Sequence, residues 1–215
     1  MSKPKVLFYV QHLLGIGHLK RATTLARAMT DAGLQVTVVS GGEYVPVIDD
    51  SGMEFVQLPA IRAEDRTFKT LVNKKGALLS DALKEKRRNK LLHLFNEICP
   101  EILMIELFPF GRRQLEFEVL PLLDTANGAD MRPIIVSSVR DILVEKNNSS
   151  READMVKKAK AYFDHILVHG DPNLIAFEET FPLALELRHM LHYTGYVVER
   201  QSFVHSQKKI GLGEV

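Results

Sequence analysis

The sequence contains very little cysteine, no tryptophan and no long apolar run. Cys99 is the single cysteine among 215 residues, so no intramolecular disulfide can form and nothing indicates an oxidising compartment. No apolar stretch approaches the roughly 20 residues that a helix needs to span a bilayer. The first residues, Met1 to Lys5, show no signal-peptide pattern. These absences predict a cytoplasmic protein.

The chain also has almost no net charge. Its 28 lysines and arginines against 27 aspartates and glutamates give a formal charge of +1, which argues against a whole-protein attraction to nucleic acid. We therefore expect no nucleic-acid partner. A hydrophobic fraction of 46% and a charged fraction of 26% are typical of a globular protein with one substantial core.

Short apolar runs alternate with amphipathic helical patterns along most of the chain. The first unit is a strand over Lys5–Val10, a helix over Leu19–Ala32 and a strand over Gln35–Ser40; such a crossover makes the two strands parallel. The alternation predicts an α/β fold, a Rossmann-like, doubly wound and mostly parallel sheet of about six strands. Further strands are predicted at Met53–Leu58, Ile102–Ile105, Pro133–Ser138 and His165–His169, and further helices at Ser80–Ile98, Gln114–Ala126, Arg151–Phe163 and Leu174–Glu179.

Charged residues and glycines recur where the predicted strands end. In open parallel sheets, ligands bind beyond the carboxyl ends of the strands. The candidate site residues selected by this rule are Gly15, Gly17, His18, Glu106, Arg112, Arg140, Asp141, His169 and Asp171. For Arg140 and Asp141, a local ion pair that orders a loop is the alternative to ligand contact, and a buried Glu106 carboxylate requires a partner.

The loop from Gly15 to Arg21 has the sequence Gly-Ile-Gly-His-Leu-Lys-Arg. Its glycines permit close backbone approach, and the following helix offers free N–H groups, which favours an anion or sugar site with His18 as a general base. The alternative is a tight turn that His18 caps. Lys20 occupies the place of the third glycine of a dinucleotide fingerprint, and no Gly-Lys-Ser/Thr follows, which excludes a P-loop.

Two other features have alternative interpretations. His165 and His169 lie on one face of a strand without an evident third ligand, so we expect no metal site. The segment Lys69–Lys90 carries eight basic residues against two acidic ones. It predicts a solvated helix face, with contact to anionic lipid headgroups or to an acidic acceptor as the alternative.

Several sequence blocks occur together in the order typical of one family. The opening Phe8-Tyr9 with Gly15-Ile16-Gly17-His18-Leu19-Lys20-Arg21 resembles that of a bacterial family of predicted glycosyltransferases related to MurG. The resemblance covers about residues 5 to 198. Further matching blocks are Pro109-Phe110-Gly111-Arg112, Val139-Arg140-Asp141-Ile142-Leu143, Val168-His169-Gly170-Asp171-Pro172 and Tyr193-Thr194-Gly195-Tyr196-Val197.

The resemblance implies a GT-B fold, in which two Rossmann-like domains face each other across a cleft. It implies metal-independent transfer of a sugar from a nucleoside-diphosphate sugar to a hydroxyl of a sugar or lipid-linked acceptor, with no cofactor in this chain. His18 matches the candidate base, and Gly15 and Gly17 would approach a phosphate. Beyond what the resemblance implies, we expect the following residues to line the cleft and bind substrate: Arg21, Glu106, Arg112, Arg140, Asp141, His169 and Asp171.

The resemblance also implies a domain organisation. Residues 1–198 would form the acceptor-side domain, and residues 199–215 would begin an inter-domain linker or tail. The donor-binding C-terminal domain would then be absent from this chain, which we expect to be inactive alone. Its partner would be a separate donor-domain chain or a second copy in a homodimer, with peripheral contact to the inner membrane face through Lys69–Lys90.

Two other functions remain open from the sequence. A related nucleotide-sugar hydrolase shares the glycine-histidine turn, and there His18 would activate water. The non-catalytic alternative is a binding or assembly domain that uses the basic segment and an unpaired inter-domain face.

Overall fold

The computed structural model describes residues 2–46, 52–65, 68, 70–143 and 149–199. The strands of the main sheet are β1 (Lys5–Val10), β2 (Gln35–Ser40), β3 (Glu54–Gln57), β6 (Ile102–Glu106), β7 (Ile134–Arg140), β8 (His165–His169) and β9 (Leu191–Tyr193); β4 (Ile61–Ala63) and β5 (Leu71–Asn73) form a separate antiparallel pair. The α-helices are α1 (Gly17–Asp31), α2 (Asp81–Ile98), α3 (Glu116–Asn127), α4 (Ser149–Tyr162) and α5 (Phe177–Thr180), with 3₁₀ helices at Arg113–Leu115 and Pro182–Met190.

The main sheet is entirely parallel and has the order β3-β2-β1-β6-β7-β8-β9. The chain first builds outward from β1 to β3 and then crosses back to place β6 against the other side of β1. This reversal makes the sheet doubly wound, and β1 and β6 flank its topological switch point. The predicted Rossmann-like α/β fold is confirmed.

The core lies on both faces of the sheet because successive side chains of a strand point to opposite sides. From β1, Val6 and Phe8 pack with α1, whereas Leu7 and Tyr9 join the larger cluster on the other face with residues of α2 and α3. All four side chains are essentially inaccessible to solvent. The uninterrupted apolar run that predicts β1 therefore reflects a strand covered on both faces.

The structure adds elements that the sequence pattern does not predict. The seventh strand, β9, is an edge strand that pairs with β8, and the antiparallel pair β4–β5 lies within the polar segment between Ala60 and Leu79. Each of these strands has three residues, too few to show a period of two. Of the predicted linker or tail, residues 200–215 lie outside the described residues.

Arg87 corrects the interpretation of the basic segment Lys69–Lys90. Its guanidinium is fully buried, with Nε 2.9 Å from Glu118 Oε2 and Nη2 2.7 Å from Glu118 Oε1. It also donates to Gln11 Oε1 and to the Gly41 carbonyl, while the Tyr9 hydroxyl donates to Glu118 Oε1 at 2.5 Å. Arg87 therefore joins α2, α3 and the carboxyl end of β1 and is not part of a solvated face.

The remaining basic residues of that segment are mostly at the surface. Those that are exposed are Lys74, Lys75, Lys86 and Lys90, whereas Lys69 lies outside the described residues. Among the described residues, no helix is both long and apolar enough to cross a membrane. Contact of this segment with lipid headgroups stays a prediction.

Candidate functional site

The candidate site lies at the carboxyl end of the sheet, beside the switch point between β1 and β6. His18 is the second residue of α1, and Glu106 is the last residue of β6. His18 Nδ1 lies 3.0 Å from Glu106 Oε1. The Glu106 side chain is 1% exposed and that of His18 is 25% exposed, so a buried carboxylate holds an imidazole that still reaches solvent.

The loop that leads into α1 leaves its backbone accessible. Gly15 has a φ of +69°, which a residue with a side chain rarely adopts. A Cβ on Gly15 or on Gly17 would meet no atom within 4 Å, so open space lies beside both glycines. Ile16, the N-cap, provides no side-chain cap, and no acidic residue stands in the first turn. The free N–H groups at this end of α1 thus favour a negatively charged ligand.

The alternative interpretation, in which His18 only caps a tight turn, is not observed in the structure. The cap position makes no side-chain hydrogen bond, and the His18 ring contacts Glu106 and Arg21. His18 therefore belongs to a polar cluster at the strand ends.

Arg21 completes the electrostatic surroundings of Glu106. Its Nη2 donates to Glu106 Oε1 and lies 3.3 Å from His18 Nδ1. Burial acts to raise the pKa of the Glu106 carboxyl, but the hydrogen bond with His18, the charge of Arg21 and the hydrogen bond with Ser138 outweigh it and lower the pKa below its usual value. Glu106 is therefore ionised at neutral pH.

A second histidine is connected to the same carboxylate through a serine. Ser138 Oγ donates to Glu106 Oε2 at 2.7 Å and lies 2.9 Å from His169 Nε2. On the other side of the ring, His169 Nδ1 lies 2.7 Å from Thr194 Oγ1. Burial lowers the pKa of His169 to about 4, so this imidazole is neutral at physiological pH.

The buried His169 predicts a loss of stability in mild acid. The unfolded chain binds this proton with a pKa near 6.5 and the folded chain with a pKa of about 4, so the unfolded state takes up more protons between these values and stability falls as the pH decreases. Between about pH 7 and about pH 4.5 we expect this group to remove about 2 kcal/mol from the free energy of unfolding. Urea unfolding at both pH values measures the loss.

The matched comparison for this prediction is the His169→Gln variant, which lacks the titrating ring. We expect its free energy of unfolding to fall less than that of the wild type over the same pH interval, whatever its stability at neutral pH. Equal losses in the two proteins would contradict the neutral, buried state of His169.

The other predicted site residues are Arg112, Asp171, Arg140 and Asp141. Arg112 lies near the end of β1, where its Nε donates to the Gln11 carbonyl at 3.0 Å and burial lowers its pKa. Asp171 uses Oδ1 to accept hydrogen bonds from the Asn173 backbone and side chain. Asp171 thus holds its own loop and has no described bond to the cluster around Glu106.

The alternative of an ion pair between Arg140 and Asp141 is not observed, since none of the ion pairs among the described residues joins them. Asp141 is buried against Gly170, where an added Cβ would lie 2.4 Å from the Asp141 Cβ. Desolvation and the nearby Asp141 carboxylate raise the pKa of Tyr196. These two residues therefore lie at the same sheet edge without contacting His18 or Glu106 directly.

Ser138 and Thr194 are the site residues that sequence reasoning missed. The sequence did offer an indication of them. A buried Glu106 carboxylate requires a hydrogen-bond partner, and the polar residues at the ends of the neighbouring strands are the candidates. His165 has a different place: it begins β8 and its Nδ1 lies 2.9 Å from His192 Nε2. Among the described residues, no group of three or more His, Cys, Asp or Glu side chains is arranged to hold a metal ion.

Comparisons with known proteins show the fold. No family model matches the sequence, and no curated protein matches it. The chain resembles solved structures of Phytolacca americana UGT2 (TM-score 0.54, 12% identity, 94% of this chain and 56% of that one), a UDP-N-acetylglucosamine 2-epimerase (0.54, 11%, 95% and 53%) and Acinetobacter baumannii MurG (0.50, 11%, 92% and 47%). The chain thus spans about half the length of these proteins and shares the Rossmann-like architecture of part of the GT-B glycosyltransferases.

Proposed function

We propose that this chain is the acceptor-side domain of a MurG-like glycosyltransferase, which transfers a sugar from a nucleoside-diphosphate sugar to an acceptor hydroxyl. The observation that carries the proposal is the pair of His18 and Glu106 at the switch point of the sheet. The buried carboxylate contacts Nδ1 of the imidazole, and no hydrogen bond from a described residue reaches Nε2. His18 therefore has a free basic nitrogen at the place where ligands of such sheets bind.

The tautomer of His18 follows from its neighbour. Glu106 is ionised and can only accept hydrogen bonds, so His18 Nδ1 must carry the proton at a separation of 3.0 Å. In the neutral ring, Nε2 then presents a lone pair. This is the arrangement in which an imidazole acts as a general base while the carboxylate stabilises the imidazolium that forms.

In the proposed step, His18 Nε2 takes the proton of the acceptor hydroxyl. The hydroxyl oxygen forms a bond to the anomeric carbon, and the bond between that carbon and the diphosphate oxygen breaks with its electron pair. The departing nucleoside diphosphate gains negative charge, and the N–H groups at the start of α1, beside Gly15 and Gly17, are suited to stabilise it. Arg21 keeps the charge of Glu106 balanced throughout.

The donor is proposed to bind mainly outside the described residues. Because the chain spans about half the length of the glycosyltransferases that it resembles, a second domain, in the same or a separate chain, would hold the nucleotide. A homodimer and contact with a membrane surface through Lys69–Lys90 remain further proposals about partners.

The function is tested with the product of the whole reading frame that contains residues 1–215. This protein is incubated with a panel of UDP-, GDP- and dTDP-sugars, with and without sugar and lipid-linked acceptors, and release of nucleoside diphosphate is measured. We expect release from one donor class to accelerate when an acceptor hydroxyl is present, with formation of the glycosylated acceptor.

Two results would contradict transfer. Release of free sugar without an acceptor would identify a nucleotide-sugar hydrolase, in which His18 activates water. Absence of turnover with every donor, combined with self-association in sedimentation, would favour a non-catalytic binding or assembly domain.

A further inference from the structure

The hydrogen bonds around Glu106 extend across four neighbouring strand ends. From the exposed Thr194, contacts of 2.7, 2.9 and 2.7 Å lead through His169 and Ser138 to Glu106 Oε2, and Glu106 Oε1 contacts His18. Ser138 and His169 are buried. Buried polar groups normally each have a hydrogen-bond partner. The partners of Ser138 and His169 all belong to this one series of hydrogen-bonded groups.

The donor and the acceptor of each hydrogen bond in this series follow from the number of protons that each group carries. Ser138 Oγ has one proton, and ionised Glu106 can only accept, so that proton points to Oε2. Ser138 Oγ must then accept from His169 Nε2, which therefore carries the proton of the neutral ring. His169 Nδ1 has none left and accepts from the Thr194 hydroxyl.

All donors consequently point toward one carboxylate. The Thr194 proton points to His169, the His169 proton to Ser138 and the Ser138 proton to Glu106, while the His18 Nδ1 proton reaches Glu106 from the opposite side. Each hydrogen bond polarises the next, which strengthens the series in a buried environment. The carboxylate is thereby kept ionised and in one orientation.

We infer that Ser138, His169 and Thr194 form a positioning relay that holds His18 in the tautomer with the proton on Nδ1 and leaves Nε2 free to accept a proton. The relay residues act through Glu106 and do not contact the reacting atoms. This inference rests on the proposed role of His18 as the base.

The relay is tested first by its spectroscopic signature in the 215-residue chain. Histidine-selective ¹⁵N labelling distinguishes ring tautomers, and we expect His169 as the Nε2–H form and the neutral form of His18 as the Nδ1–H tautomer. In Ser138→Ala, both rings are expected to show mixed tautomers, because Glu106 without the Ser138 donor no longer keeps Oε1 oriented toward His18 Nδ1, and His169 loses its acceptor.

The chain offers a matched control for this variant. Ser137 is equally buried on the same strand, but its Oγ donates to the Phe108 carbonyl at 2.8 Å and does not contact the relay. We expect Ser137→Ala to leave both histidine tautomers unchanged. If Ser138 had only a structural role, the two substitutions would have the same effect on the histidine tautomers.

Kinetics of the whole-frame protein provide the second readout. Ser138→Ala is expected to lower kcat about tenfold, the loss typical of one hydrogen bond to a charged group, with KM unchanged within about twofold because substrate contacts are intact. Ser137→Ala should retain the wild-type kcat. Thr194→Val, which removes only the outermost donor, should produce mixed tautomers at His169.

The possible outcomes distinguish a failure of the relay from a failure of the proposed role of His18. If Ser138→Ala leaves the tautomers and kcat unchanged while His18→Ala abolishes transfer, the relay is wrong and the base assignment stands. If the tautomers shift in Ser138→Ala but His18→Ala retains transfer, the network exists but does not position a base, and the inference is overturned together with the proposed role of His18.

Discussion

The variant His18→Ala is expected to lose about 10²- to 10⁴-fold of the transfer rate, the contribution of a positioned general base. The loss should fall on kcat, because the missing proton acceptor acts in the transition state and the remaining cleft still binds substrate. The fold should persist, since the side chain is 25% exposed and Glu106 keeps its bonds to Arg21 and Ser138. The rate is measured with the donor and acceptor that the substrate panel identifies, and circular dichroism confirms the fold.

The control is His93→Ala, which removes an exposed histidine from α2 whose ring contacts only Glu97 among the described residues. It should transfer at the wild-type rate. Added imidazole should restore part of the activity of His18→Ala and leave His93→Ala unaffected, because a free base can occupy the vacated space. A folded His18→Ala protein with undiminished transfer would remove His18 as the base.

The variant Arg87→Ala is expected to lower the free energy of unfolding by about 3–5 kcal/mol, the typical effect of removing one partner of a buried ion pair. The loss is large because Glu118 stays fully buried with its charge uncompensated, and the Gly41 carbonyl and Gln11 Oε1 lose their donor. Urea unfolding followed by circular dichroism measures the difference.

The next residue supplies the control. Arg88 is half-buried and faces Glu85 at 4.0 Å, so Arg88→Ala should change the unfolding free energy by no more than about 0.5 kcal/mol. Similar effects of the two substitutions would show that the buried pair contributes little. If Arg87→Ala does not fold, the double variant Arg87→Met/Glu118→Leu decides the question: it removes both charges and should regain a cooperative unfolding transition.

Much of the fold is predictable because the inner strands of the main sheet are covered on both faces. Such strands appear in the sequence as apolar runs, and β1, β2, β6 and β8 lie where those runs predict them. The helices between them are recognisable by their apolar spacing. Strand β9 was missed because a three-residue edge strand carries no period, and its pairing depends on contact with β8.

The sequence contains a local pattern that predicts the burial of Arg87, although the charge count of its segment indicated exposure. It lies four residues before Leu91 and eight before Phe95, which places all three on the buried face of α2. Counting charges along Lys69–Lys90 assigned it to a solvated face. Arg87 is buried beside Glu118 of α3, which lies 31 positions away in the sequence. No local sequence pattern predicts that contact.

The sequence alone determined the class of fold and the edge at which the site lies, because apolar periodicity and the glycine-histidine loop are local properties of the chain. It also placed His18, Glu106 and His169 at that edge. The direct contact of His18 with Glu106, the connection of Glu106 to His169 through Ser138 and the contact of His169 with Thr194 depend on the tertiary structure. So does the absence of an ion pair between Arg140 and Asp141. Hydrogen bonds between residues 25 to 88 positions apart require the register of parallel strands, and that register is set by packing of the whole sheet.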